Sequence, residues 1–175
     1  MIMKADEIMK LPEFMGQDSS TIQAKLDALE ILIRGYTHNN FQIRNIRCEC
    51  ESNGKTLFGV HPFMKVGDTV QVSESQVNDG LYTIEAITED CVQVNKDLFP
   101  VPYNMVTLVK YPDDVRQGII ELMKWEQDNR QKVGIKSESL SRHSVTYYDQ
   151  DANNQVRGYP VSLLGFLESY KKARF

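Results

Sequence analysis

The residues of this 175-residue chain best equipped for chemistry are its thiols and imidazoles. Cys48 and Cys50 stand two apart, with His61 and Cys91 further along, a set that could in principle be gathered around zinc. Paired zinc ligands usually have about two to four residues between them, and here there is one. On a strand, positions 48 and 50 share a face, which is also where a core would lie. Free cysteine is among the most buried residue types. The pair therefore reads as core, and no metal site is expected.

His143 stands beside Ser144 and near Ser137, Ser139 and Ser141, but no Gly-x-Ser-x-Gly elbow or other nucleophile context accompanies it. A polar serine-rich loop is the expectation there. Asp113 and Asp114 resemble a carboxylate pair for acid–base work, yet a first helical turn favours such charges through its free N–H groups and dipole. Glycines are scattered singly, so there is no phosphate-cradling loop and no nucleotide fingerprint. No catalytic residue and no cofactor are expected. The chain reads as non-enzymatic.

The elements that must position these residues follow from periodicity. Ser19 and Ser20 offer N-cap chemistry, and Ile22, Leu26, Leu29, Ile33 and Tyr36 then form one helical stripe that ends at Thr37-His38-Asn39-Asn40. From Phe41 to Lys110 the texture changes to short alternating runs punctuated by Val66-Gly67-Asp68 and Asn78-Asp79-Gly80. Those runs are 46–50, 57–60, 66–72, 81–87, 92–94 and 105–109, and they suit a small antiparallel barrel of the SH3-like or OB-like kind.

A second helix opens at Tyr111-Pro112-Asp113-Asp114 and carries Val115, Ile119 and Leu122 as its stripe. Gly118 inside it costs about 1 kcal/mol against alanine unless another backbone packs close, so a close helix crossing is expected there. Ser144 to Tyr148 alternates as a strand. A last helix follows Gly158-Tyr159-Pro160, with Leu163, Phe166, Leu167 and Tyr170 recurring at helical spacing.

The fold class expected is α+β: a small bundle of three main helices, from 1–40 and 111–175, interrupted by an inserted antiparallel β-barrel at 41–110. Each helical part carries an apolar stripe too narrow to be stable alone, so the two should pack together.

Composition bounds function further. No apolar run reaches the ~18 residues that span a bilayer, and Lys4, Asp6, Glu7 and Lys10 break up the N-terminal region, so an intracellular product with no membrane role is expected. Three cysteines without a secretory signal make a disulfide framework unexpected. The net charge is −4, and residues 41–110 hold 6 Lys/Arg against 9 Asp/Glu. That balance argues against gripping phosphates. A nucleic-acid-binding regulator acting through the barrel is the alternative, with Arg44, Arg47 and Lys55 as its small patch, but no aromatic platform interleaves with them. By contrast, residues 136–175 carry 6 Lys/Arg against 4 Asp/Glu, which points to a polar contact made by that end.

Residues 111–175 resemble the head–tail connector (adaptor) proteins of long-tailed phages that infect Gram-positive bacteria. The likeness is carried by Tyr111-Pro112-Asp113-Asp114-Val115 and the helix to Arg130, by the run from Lys132 to Ser139, and by His143-Ser144-Val145-Thr146-Tyr147. Gly158-Tyr159-Pro160, Leu163-Leu164-Gly165-Phe166-Leu167, Tyr170 and Ala173-Arg174-Phe175 complete it. Two departures stand out: some seventy residues of β-type sequence intervene before Tyr111, and Glu168-Ser169 replaces a Lys-Pro-like pair.

The resemblance implies a structural virion protein of the neck, assembled in the bacterial cytoplasm, that is monomeric before it joins a twelve-fold ring beneath the portal protein. Its partners would be the portal, its own copies, the next neck or tail-side protein, and genomic DNA passing without specific binding. The segment Lys171, Lys172, Arg174 and Phe175, three cations with an aromatic anchor, reads either as a frayed helix end whose cations suit the helix dipole or as the portal-docking element. Ser144, Val145, Thr146, Tyr147 and Tyr148 form the expected edge for contact between ring subunits.

Overall fold

A computed structural model describes residues 1–59, 61–129, 137–140, 143–146 and 154–173. The chain begins with a short helix α1 (Ala5–Ile8) and a 3₁₀ turn (Pro12–Phe14) that lead into α2 (Ser19–Thr37). Asp18, one residue before the expected serines, caps α2: its carboxylate accepts from the Thr21 amide at 2.8 Å and from the Ser20 hydroxyl at 2.5 Å. The stripe buries Ile22, Leu26, Leu29 and Ile33 as the spacing requires. His38 ends the helix in the left-handed conformation, with φ of 50°.

The β region holds β1 (Gln42–Phe58), β2 (Thr69–Ser73), β3 (Gly80–Ile87) and β4 (Cys91–Val109). All pair antiparallel in the order β1-β4-β2-β3, and β3 also reaches the first part of β4. β4 is the organising strand. One of its edges takes β1 along its length, and the other takes β2 near Met105–Val109 and β3 near Val92–Val94.

The runs 46–50 and 57–60 therefore fall mostly within one long strand, and 92–94 and 105–109 belong to another. The stretches between those paired runs do not turn. They stay extended because each long strand supplies ladder partners to the other, with register shifts around Ser52 and Gly54 absorbing the irregularity.

Past β4, α3 (Asp113–Asn129) starts in the expected place. At Gly118 the close approach is made by a side chain and not by another backbone: a Cβ there would stand closer to ring carbons of Phe166 than van der Waals contact allows. Strands β5 (Ser137–Leu140) and β6 (His143–Thr146) form a two-stranded ribbon, and β7 (Gln155–Val156) with β8 (Tyr159–Pro160) another. The chain then runs into a 3₁₀ helix (Val161–Tyr170).

The expected fold class is overturned. A three-helix bundle interrupted by a barrel does not form. The architecture is mixed α/β on a four-stranded antiparallel sheet, and strands dominate the core. One reason lies in the last segment, which winds as 3₁₀ and cannot supply a third bundle helix. The other is that the sheet merges its short runs into two strands of 17 and 19 residues.

Buried side chains fall into two clusters. One joins α1, α2, α3 and the 3₁₀ helix to Phe41, Val109 and Tyr111. The second lies within the sheet and includes Leu57, Val70, Val72, Ile84, Val94 and Val106. No helix among the described residues is long and apolar enough to cross a membrane.

Candidate docking surface

The expected docking element begins where α2 ends. Helix ends leave carbonyls without partners, and the Lys172 amide satisfies one of them by donating to Thr37 O at 2.8 Å. The Asn39 amide donates to Tyr170 O at 3.1 Å, and the Tyr170 hydroxyl reaches both carboxylate oxygens of Asp114 at 2.8 Å. Phe41 fills the centre, with ring centroids 4.8 Å from Tyr111 and 5.8 Å from Tyr170. Asp114 thus has a second role that its place in a first turn did not reveal.

Lys171 is not a free charge. Its ammonium donates to Glu168 Oε1 at 2.8 Å and to the Tyr36 hydroxyl at 3.0 Å, and lies 4.1 Å from the centroid of the Tyr36 ring. The Tyr36 hydroxyl in turn donates to Glu168 Oε1 at 2.8 Å. Hydrogen bonds from Lys171 and Tyr36 hold the Glu168 carboxyl below its ordinary value, and the same carboxylate raises the Lys171 ammonium above its own. Lys172 is exposed beside this latch. Arg174 and Phe175 lie outside the described residues. The structure therefore divides the expected element: Lys171 works as an anchor, and Lys172 is the exposed cation.

Of the expected ring-contact residues, Ser144, Val145 and Thr146 lie in β6, opposite Ser139, Glu138 and Ser137 of β5. Tyr147 and Tyr148 lie outside the described residues. Among the described strands the β5–β6 ribbon pairs with no other, so the outer edge of each of its strands takes no partner from the described residues. Reading Ser137 to Ser141 as a polar loop missed β5, although the alternation Ser-Glu-Ser-Leu was a usable strand signal.

The chemistry candidates separate in space. Cys48 and Cys50 do share a face, with sulfurs 3.5 Å apart, whereas Cys91 sits opposite Phe58 with its sulfur 2.9 Å from the Thr88 hydroxyl. The Cys50 thiol favours the thiolate of Cys48, which is held below the ordinary thiol value, while Cys50 itself is pushed well up by that neighbour and by burial. His61 Nδ1 accepts from the Phe63 amide at 3.3 Å. Among the described residues no three His, Cys, Asp or Glu side chains converge as a metal-binding group.

Two polar networks escaped notice in the sequence. In the first, buried Glu30 meets Tyr111, the Met1 amino group and the Ile2 amide, while Arg34 bridges to Gln71 of β2 at 2.8 Å. In the second, the buried Asn78 amide donates to Phe99 O at 2.9 Å, Ser52 Oγ at 3.1 Å and Asn104 Oδ1 at 3.2 Å, pinning the loop before β3 to the sheet. The β region also exposes large apolar side chains, Phe99 in β4 and Phe63 and Val77 in the loops before β2 and β3.

Fold and surface together define a mixed α/β protein with a β5–β6 ribbon that pairs with no other described strand, exposed aromatics and a latched basic segment. No protein-family model matches the chain, and no match is found among curated proteins.

Proposed function

We propose that the chain is a structural adaptor of a tailed-phage neck, one subunit of a ring beneath the portal that continues the DNA channel toward the tail. The observation that carries this reading is the β5–β6 ribbon. It lies within the stretch that resembles the connector proteins, and its outer edges have no partner strand among the described residues. Ring growth calls for head-to-tail contacts between unlike surfaces, and an unpaired edge is a template for one. The latched segment at Lys171 and Lys172 supports it, because it fixes the start of the basic segment at the end of α2. Acidic character suits a channel through which DNA must slide without being held.

In this reading the protein is not an enzyme, resides in the virion neck and meets the portal, its own copies and the next neck or tail-side protein. The test is localisation on purified particles by electron microscopy with a label on this chain. Density at the collar is expected. Particles that carry the label elsewhere or not at all would refute it, and steeply salt-dependent DNA binding by the isolated protein would favour a nucleic-acid-binding regulator instead.

A further inference from the structure

We propose that Cys48 and Cys50 form a two-thiolate chelate for a thiophilic d10 cation, zinc or cadmium. The pair had read as simple core, but its geometry is that of a chelate. With metal–sulfur bonds of about 2.3 Å, two thiolates on a tetrahedral ion stand roughly 3.8 Å apart. The sulfurs of Cys48 and Cys50 are 3.5 Å apart, so only a small adjustment is needed. A disulfide fits less well. It requires sulfurs at about 2.05 Å and Cα atoms within about 4.4–6.8 Å, and two steps along an extended strand span roughly 6.6–6.8 Å, at the limit of that window.

The surroundings keep the two sulfurs in place and reachable. Cys48 and Cys50 are opposite Val106 and Asn104 of β4, and the Asn104 amide donates to Cys50 O at 3.0 Å, which fixes the strand carrying them. Cys50 is only 3% exposed, while Cys48 is partly open, so a cation would enter past Cys48. Gly59 flanks the pair with φ of +130°, and a Cβ there would stand 3.1 Å from Cys50 Sγ and 3.0 Å from Glu49 O. A glycine at this position adds no side chain against the buried sulfur, whose thiol donates to Gly59 O at 3.6 Å until a cation replaces its proton. Binding is a simple exchange: one divalent cation replaces two thiol protons, forming two metal–sulfur bonds and releasing two protons, with no redox step. The remaining coordination positions go to water or to small ligands from solution.

The test is titration of the reduced full chain with cadmium, followed by thiolate-to-cadmium charge-transfer absorption in the ultraviolet. The band is expected in the natural sequence and in Cys91→Ser, and lost in Cys48→Ser and in Cys50→Ser. Its absence from the natural sequence at cadmium excess, or its survival in both of the latter variants, overturns the proposal. If those variants fail to fold, alkylation of the unmodified protein decides. Cadmium should block iodoacetamide labelling of Cys48 and leave Cys91 reactive, and equal labelling of Cys48 with and without cadmium overturns the proposal.

Discussion

The Tyr111 hydroxyl donates a 2.8 Å hydrogen bond to Glu30 Oε1, joining the residue just before α3 to the middle of α2 through a carboxylate that is only 4% exposed. Buried carboxylates are costly unless fully partnered. Glu30 also receives the Ile2 amide at 3.2 Å and pairs with the Met1 amino group at 3.2 Å. Tyr111→Phe should cost about 1–3 kcal/mol, the range for hydrogen bonds to charged groups. Glu30→Ala, which strands several donors at once, should cost about 3–5 kcal/mol. Urea unfolding of both single variants and the double variant checks this. Additive losses would show that the two residues do not act as a unit.

Gly118 gives a prediction whose sign separates two effects. On helix propensity alone, Gly118→Ala should stabilise α3 by about 1 kcal/mol. The Phe166 ring occupies the space that the new methyl needs, and overpacking costs about 1–3 kcal/mol. Net destabilisation is expected, turning to net stabilisation when Phe166→Leu is already present. Thermal melts of the four proteins in that cycle decide it, and a stabilised Gly118→Ala single variant would contradict the packing.

How far the sequence disclosed these arrangements depended on whether residue type and spacing agreed. The α2 stripe agreed and was legible. Glu30 lies four residues after Leu26 and three before Ile33, squarely on the buried side, but its charge read as solvent-facing. In the last segment the apolar positions were found, yet the winding was not. With three residues per turn, Leu164, Leu167 and Tyr170 line up, and Leu164 and Leu167 are the ones fully buried, while Leu163 and Phe166 are partly so. The strand runs were visible, but polar residues inside a long strand look like turns until the partner strand is known. Of the candidate site, the basic segment and the β6 strand were legible by composition and alternation. The latch of Lys171 on Tyr36 and Glu168 was not, because it joins residues 135 and 3 positions apart.

We propose that residues 41–110 form a separable unit, as their own buried cluster suggests. The Lys110 amide donates to Phe41 O at 3.0 Å, and Gln42 pairs with Val109, so the strand ends lie side by side. Replacing 43–108 with an Asn-Gly turn should therefore keep the helical circular dichroism signal. Stability should fall, because Arg34 loses Gln71 and the Met1 amino group loses Thr69. Loss of the helical signal would show that the helices need the sheet to fold.

The latch of Lys171 on Glu168 should be sensitive to acid. The Glu168 carboxyl is held below its ordinary value of 4.5, chiefly by the Lys171 hydrogen bond and then by that of Tyr36. A carboxyl depressed in the folded state contributes its full stabilisation above the unfolded value and loses it as pH falls through the folded one. The latch should hold at neutral pH and through 4.5, then release in stronger acid. Carboxyl carbon NMR of Glu168, with the Lys172 amide shift as reporter of its bond to Thr37 O, checks both. Titration of Glu168 at or above 4.5 would count against the geometry.

The docking role of the basic segment can be tested while the bonds of Lys171 and of the Lys172 backbone are kept. Lys171 and the Lys172 backbone are tied to α2 and the 3₁₀ helix, so deleting from Lys171 onward would confuse lost anchoring with lost docking. Deleting only Ala173, Arg174 and Phe175 spares every one of those bonds. The shortened protein should keep its melting temperature within about a degree or two, because the bonds that tie Lys171 and the Lys172 backbone to α2 and the 3₁₀ helix are retained. It should nevertheless fail to join portal-bearing heads in an assembly reaction. Lys171→Met should show the reverse pattern, a loosened segment seen by NMR with the cation at Lys172 and the aromatic at Phe175 still present. Normal yields of tailed particles from the shortened chain would remove the docking role and leave the segment as an anchor alone.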